Sequence, residues 1–142
     1  VKLPDVNLLL YAVDAEAPRH ASARAWLEHV LSGTEEVAFA WAVLLGFVRI
    51  STNPAAFEDP MDAEEAFGYV EAWLARPVAT TLAPGPDHVD LMRRLLQPVG
   101  IAGNLTSDAH LAALAIEHGA ELCSSDRDFG RFEGLRWTDP LS

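Results

Sequence analysis

The stretch NLTSDAHLAALAIEHGAELCSSD, residues 104–126, decides the fold. Its first half reads as a helix from Asn104 to Glu117. His118-Gly119 closes it, because glycine accepts the left-handed turn past a helix end. Its second half, Glu121 to Ser124, reads as a short apolar strand that runs at once into the turn residues Ser125 and Asp126. A helix that feeds a strand in this way is part of a βαβ unit, and such units build a mostly parallel sheet with helices on both faces. Within the helix, Asp108 falls on the same face as Leu111, Ala112 and Ala115.

Upstream, the same alternation recurs. Lys2 to about Asp5 reads as a strand leading into Asn7-Leu8-Leu9-Leu10-Tyr11. Pro18 precedes a helix to about Leu31, where Trp26 and Val30, and Leu27 and Leu31, form an apolar stripe. Val37 to Ala40 is a strand. Trp41 to Ile50 is almost wholly apolar and is expected to be a buried helix, stopped by Ser51-Thr52-Asn53-Pro54. Asp62 to Arg76 reads as an amphipathic helix, Val78 to Leu82 as a strand, and Pro86 to about Leu96 as a further helix. Arg136-Trp137 is a last short strand. The fold class is therefore α/β: a mostly parallel central sheet flanked by helices, in one domain covering residues 1–142.

Composition narrows the chemistry. Of 142 residues, 50% are hydrophobic and 22% charged, the balance of a globule with a sizeable core. Lys2 is the single lysine, so P-loop, Schiff-base and pyridoxal-phosphate chemistry lack their essential amine. Glycine-rich dinucleotide, serine-hydrolase and zinc-protease motifs are missing from the sequence, as are paired Cys-x-x-Cys motifs. Cys123 is the one cysteine, which excludes an internal disulfide and fits a reducing cytoplasm. No apolar run approaches a membrane span, and the opening residues lack a secretory-signal pattern.

In open α/β sheets, ligands gather beyond the carboxyl ends of the strands. Asp5 ends the first strand. There it serves equally well as the cap of the following helical turn or as a site residue. Asp108 lies on a packed helix face, or complements the helix dipole. Asp126 follows the late strand, with Asp128 just beyond; each also suits a turn or cap. Together, Asp5, Asp108 and Asp126 stand at the ends of three strands or in the helices those strands feed. Like charges gathered in one pocket raise one another's pKa unless a hard cation neutralises them. An all-oxygen set favours Mg²⁺ or Mn²⁺, ions suited to phosphoryl chemistry.

The segments LPDVNLLLYAVD, GNLTSDAHLAALAIEHGAEL and CSSDRDFGRF, in this order and spacing, resemble a PIN-domain ribonuclease of the VapC type, the toxin of a bacterial toxin–antitoxin pair. The resemblance runs nearly the whole chain. It implies Mg²⁺- or Mn²⁺-dependent hydrolysis of RNA by an activated water. Asp5, Asp108 and Asp126 would be the catalytic metal ligands, and Asp128 would add to the metal site. Asn7, Ser124 and Ser125 would orient those ligands. The resemblance further implies an antitoxin partner, an RNA substrate of the tRNA or rRNA class, and a cytoplasmic protein; the apolar helix from Trp41 to Ile50, long for so small a core, adds the expectation of a homodimer.

One departure stands out. The family carries a further acid early in the helix after the second strand, but no acid occurs here between Glu36 and Glu58. Gly46 occupies the vacated position, and Arg49, one turn on, either pairs with a site aspartate or lies at the surface. The net charge of −11 opposes polyanion binding, so an RNA site needs local cations. Arg127 and Arg131 follow the last acid directly, and Arg93-Arg94 either join that rim or form a solvated helix face. The missing acid leaves an alternative, a catalytically weak or silent PIN-like protein that binds RNA or a partner. A haloacid-dehalogenase-type phosphatase needs a second aspartate where Asn7 stands, and a later lysine.

Overall fold

The computed structural model describes residues 1–99 and 103–142. Strand β1 (Lys2–Pro4) is followed by helices α1 (Val6–Val13) and α2 (His20–Leu31). Strand β2 (Val37–Ala40) runs directly into α3 (Trp41–Ser51), and α4 (Ala63–Leu74) precedes β3 (Ala79–Leu82). Helices α5 (His88–Leu96) and α6 (Thr106–His118) then lead to β4 (Glu121–Cys123), a 3₁₀ turn at Arg127–Arg131, and β5 (Trp137–Thr138). The five strands stand in the order β3-β2-β1-β4-β5, and every pairing is parallel. No helix among the described residues is long and apolar enough to cross a membrane.

The alternation of elements thus gives the expected α/β architecture. β1 lies in the middle because both its faces are apolar; Leu3 is fully buried, as are Val37, Ala38, Phe39 and Leu122 on its neighbours. The chain leaves β1 toward β2 on one side, and β4 arrives on the other. The strand order therefore reverses between β1 and β4, the place where an open parallel sheet leaves a crevice beyond its carboxyl ends. Pro4 pairs opposite Cys123, and the Asp5 amide donates to the Cys123 carbonyl at 2.9 Å, so the two strands end level with each other. At the opposite, amino edge, Lys2 pairs with Glu121 at 2.9 Å.

The helix from the decisive stretch packs as read. Ala109, Leu111, Ala112, Ala113, Leu114 and Ala115 are all buried. Small side chains let α6 lie close to its neighbours, and a larger residue there would overpack the core. Gly119 ends it at φ +63°, in the left-handed region. On the other side of the sheet, Phe39, Phe47 and Trp73 form an aromatic core, with the Phe47 and Trp73 rings edge to face at 4.8 Å.

Helix α3 departs from expectation. Val43, Leu44, Gly46 and Phe47 are buried, but Trp41 is 51% and Leu45 56% exposed. Its apolar composition serves two surfaces, one facing the core and one left open. Several boundaries also move. The first strand stops at Pro4, releasing Asp5 to cap α1, the helix after Pro18 begins at His20, and the helices read from Pro86 and Asn104 begin at His88 and Thr106.

Candidate metal centre at the carboxyl edge of the sheet

Four aspartates come together at the crevice between β1 and β4. Asp5, one residue past β1, accepts from the Val6 amide at 2.7 Å through Oδ1. Through Oδ2 it accepts from the Ser124 hydroxyl, also at 2.7 Å. The cap and site readings of Asp5 are thus compatible, because each oxygen serves one of them. Burial pushes the Asp5 carboxyl above its usual range and the charge of Asp126 adds to this, while the two hydrogen bonds oppose the rise.

Asp108 stands in the first turn of α6, half-buried. Its pKa is raised to about 6, first by burial and then by the charges of Asp5, Asp126 and Asp128. Asp108 therefore feels carboxylates from two other segments of the chain. Asp126 accepts from the Asp128 amide at 2.9 Å and so shapes the 3₁₀ turn, while Asp128 pairs with Arg131 at 3.4 Å on the rim.

Ser124 organises this edge. It is fully buried at the end of β4. Its hydroxyl gives its one hydrogen to Asp5 and accepts from Asn7 Nδ2 at 3.2 Å and from the Asp126 amide at 3.0 Å. One donor and two acceptor positions are all a hydroxyl has. With that hydrogen committed to Asp5, Asn7 must present its Nδ2 to Ser124. Asn7 Oδ1 is left buried and, among the described residues, without a hydrogen-bond partner. Ser125 turns away and donates to Asp139 at 3.3 Å, so of the two serines only Ser124 supports the site.

The donor chemistry fits a hard divalent cation. The charged groups are all carboxylates, three of them raise the pKa of Asp108, and the buried Asn7 amide oxygen lacks a donor among the described residues. Among the described residues no three His, Cys, Asp or Glu side chains close directly around a single ion position. Burial and Glu121 push the Cys123 thiol up to about 12, so it is no nucleophile.

The cations divide. Arg127 and Arg131 are both exposed on the turn after Asp126. Arg94 joins Arg131 in the lining of a cavity of about 420 Å³, together with Leu91, Leu95 and Ile116. Arg93 instead pairs with Asp90 along its own helix at 2.9 Å, the solvated-face arrangement. Among the described residues Arg49 forms no ion pair with a site aspartate.

A second polar array, without a signature in local sequence, lies between α5 and α6. The buried His88 imidazole sits between Glu117, which bonds its Nδ1, and His110, whose Nδ1 lies 2.8 Å from His88 Nε2. Glu117 also accepts from the Gly85 amide at 2.7 Å. The array ties α5 and the loop before it to α6. It turns His110 toward α5, so that His110 packs between helices.

A family model for the PIN domain matches residues 2–135. Ribonuclease VapC37 of Mycobacterium tuberculosis is 47% identical over 140 residues, which cover 99% of this chain and 97% of that one. Ribonuclease VapC33 of the same organism is 43% identical over 98% of this chain and 97% of its own length. Among solved structures, the Mycobacterium tuberculosis Sarcin-Ricin loop cleaving toxin VapC20 superposes with a TM-score of 0.69 at 17% identity, over 96% of this chain and 99% of that chain. VapBC2 from Rickettsia felis, bound to a promoter DNA fragment, gives a TM-score of 0.69 at 20% identity, over 96% of each chain. These two structures share the fold.

Proposed function

Since the chain belongs to the PIN domain family, we propose that it is a metal-dependent endoribonuclease that serves as the toxin of a toxin–antitoxin pair. The observation that carries this reading is the meeting of Asp5, Asp108, Asp126 and Asp128 at the β1–β4 crevice, where each raises the charge burden on Asp108. Relatives covering almost the whole chain are named VapC ribonucleases.

Mg²⁺ or Mn²⁺ bound there supplies an activated water and neutralises charge on the phosphate. The protein's part is positional. Asp5, Asp108 and Asp126 present the anionic oxygens that hold the ion, with Asp128 at the edge. Ser124 fixes one oxygen of Asp5, and Asn7 braces Ser124. Arg127, Arg131 and Arg94 draw the RNA backbone to the rim of an otherwise acidic molecule. A tRNA or rRNA fold supplies the phosphates in a fixed array. A small antitoxin protein silences the enzyme by covering the crevice. The exposed Trp41 and Leu45 of α3 are the surface on which two copies pair. The single buried thiol suits the reducing cytoplasm in which such a pair acts.

The test is cleavage of total bacterial RNA by the purified chain, with Mg²⁺ or Mn²⁺ and with a chelator. Wild type cuts only with the cation, and Asp5→Asn or Asp126→Asn loses more than about 100-fold in rate. No cleavage by wild type under any of these conditions leaves the silent RNA-binding reading in its place.

A further inference from the structure

Gly46 is buried in the middle of α3, and a side chain built there would meet Val6 Cγ2 at 3.7 Å and Arg49 Nη2 at 3.9 Å. The Arg49 guanidinium therefore folds back along its own helix toward the amino end of α3, the direction helical side chains take. It lies over the space that a residue at position 46 would enter, next to the residue that follows Asp5. β2 and α3 lie on one side of β1, and β4 with Arg127 and Arg131 lies on the other. Arg49 and the Arg127–Arg131 turn thus belong to elements on opposite sides of β1.

Arg49 is exposed and, among the described residues, pairs with no carboxylate. Its fork of donors has no protein acceptor to fill it, although the chain carries 21 acidic residues. A planar guanidinium with free donors near Val6, the residue that follows the helix-capping Asp5, suits the phosphodiester group of an RNA. We propose that Arg49 contacts a non-bridging phosphate oxygen of the RNA held at this crevice, on the face opposite Arg127 and Arg131. The absence of a side chain at Gly46 is what lets the guanidinium reach inward; an acid at that position would claim it as an ion pair. This assignment rests on the nuclease reading. A guanidinium there offsets charge that builds on the phosphate during transfer.

The experiment compares wild type, Arg49→Met and Arg49→Lys. Cleavage is followed on a short RNA spanning the cut mapped in total bacterial RNA. Affinity for RNA is followed against salt in the Asp5→Asn background. Arg49→Met is expected to lower kcat/KM about 100-fold, with the thermal shift given by Mn²⁺ unchanged. It also reduces the slope of log affinity against log salt by about 0.7, one phosphate contact to a single strand. Arg49→Lys, which keeps stem and charge, recovers the slope but only part of kcat/KM. If Arg49→Met does not fold, the Lys variant decides, and full activity in it overturns the assignment. Wild-type cleavage with an unaltered slope and kcat/KM in Arg49→Met overturns the Arg49 role and leaves the nuclease reading standing. If wild type cuts nothing, total bacterial RNA replaces the short RNA in the binding arm. A reduced slope in Arg49→Met then supports the contact while the nuclease reading falls, and an unchanged slope overturns both.

Discussion

Ser124 donates its hydroxyl hydrogen to Asp5 Oδ2 at 2.7 Å across 119 residues of chain. The bond joins the ends of two strands on either side of the point where the sheet reverses its order. It also orients the carboxylate, because the other oxygen of Asp5 is held by the Val6 amide. Ser124→Ala removes that donor and leaves the Asn7 amide and the Asp126 amide without their acceptor. The expected cost is about 1–3 kcal/mol of stability, read by urea unfolding. Cation affinity falls by about 10–100-fold, as it does when a supporting hydrogen bond is lost. Ser125→Ala, whose hydroxyl faces Asp139, leaves cation affinity unchanged.

The pair of serines shows what a sequence can and cannot specify here. Adjacent residues in an extended segment face opposite ways. Which of the two faces Asp5 depends on the register of Pro4 against Cys123, a long-range quantity. The acids were legible because each ends a strand or opens a helix, and local pattern locates such places. The apolar surplus of α3 was legible as length, but not which residues, Trp41 and Leu45, it leaves open, because an apolar helix looks the same from every side.

If the cluster holds a cation, Asp108 makes that binding depend on pH. A carboxylate whose folded pKa is raised favours the folded state fully at low pH and loses that contribution as pH rises from the usual carboxylate range through about 6. Asp5 acts in the same direction. The ion-free protein therefore gives up stability between about pH 4 and 6 from this cluster. Mg²⁺ or Mn²⁺ restores it only where Asp108 is ionised. Scanning calorimetry should give a larger cation-induced rise in Tm at pH 7.5 than at pH 5.5. Asp108→Asn should raise the Tm of the ion-free protein at pH 7.5 and shrink the cation effect.

Glu117 holds two groups at once, the Gly85 amide and the buried His88 Nδ1. Its partners lie 32 and 29 residues away, beyond the reach of any local motif. Glu117→Ala strands both donors and should cost about 2–3 kcal/mol. At temperatures where the variant stays folded, RNA cleavage should continue at the wild-type rate, since the array faces α5 rather than the acids. A chemical-denaturation curve beside a cleavage assay separates the two effects.

Trp41 and Leu45 lie one helical turn apart and are more than half exposed. If two copies pair through this face, Trp41→Glu with Leu45→Glu should give a monomer by light scattering, with the circular dichroism of the wild type. Wild type that is already monomeric, or a double variant that still pairs, removes α3 from the interface.

Lys2 stands at the amino edge of β1, clasped by Glu121 and within 3.8 Å of Glu35. Parallel strands place this edge a full sheet height from the acidic crevice. Amine-directed coupling to a bead, dye or sensor chip therefore attaches at the end remote from the chemistry. The molecule can be immobilised in one orientation with its working mouth facing the solution.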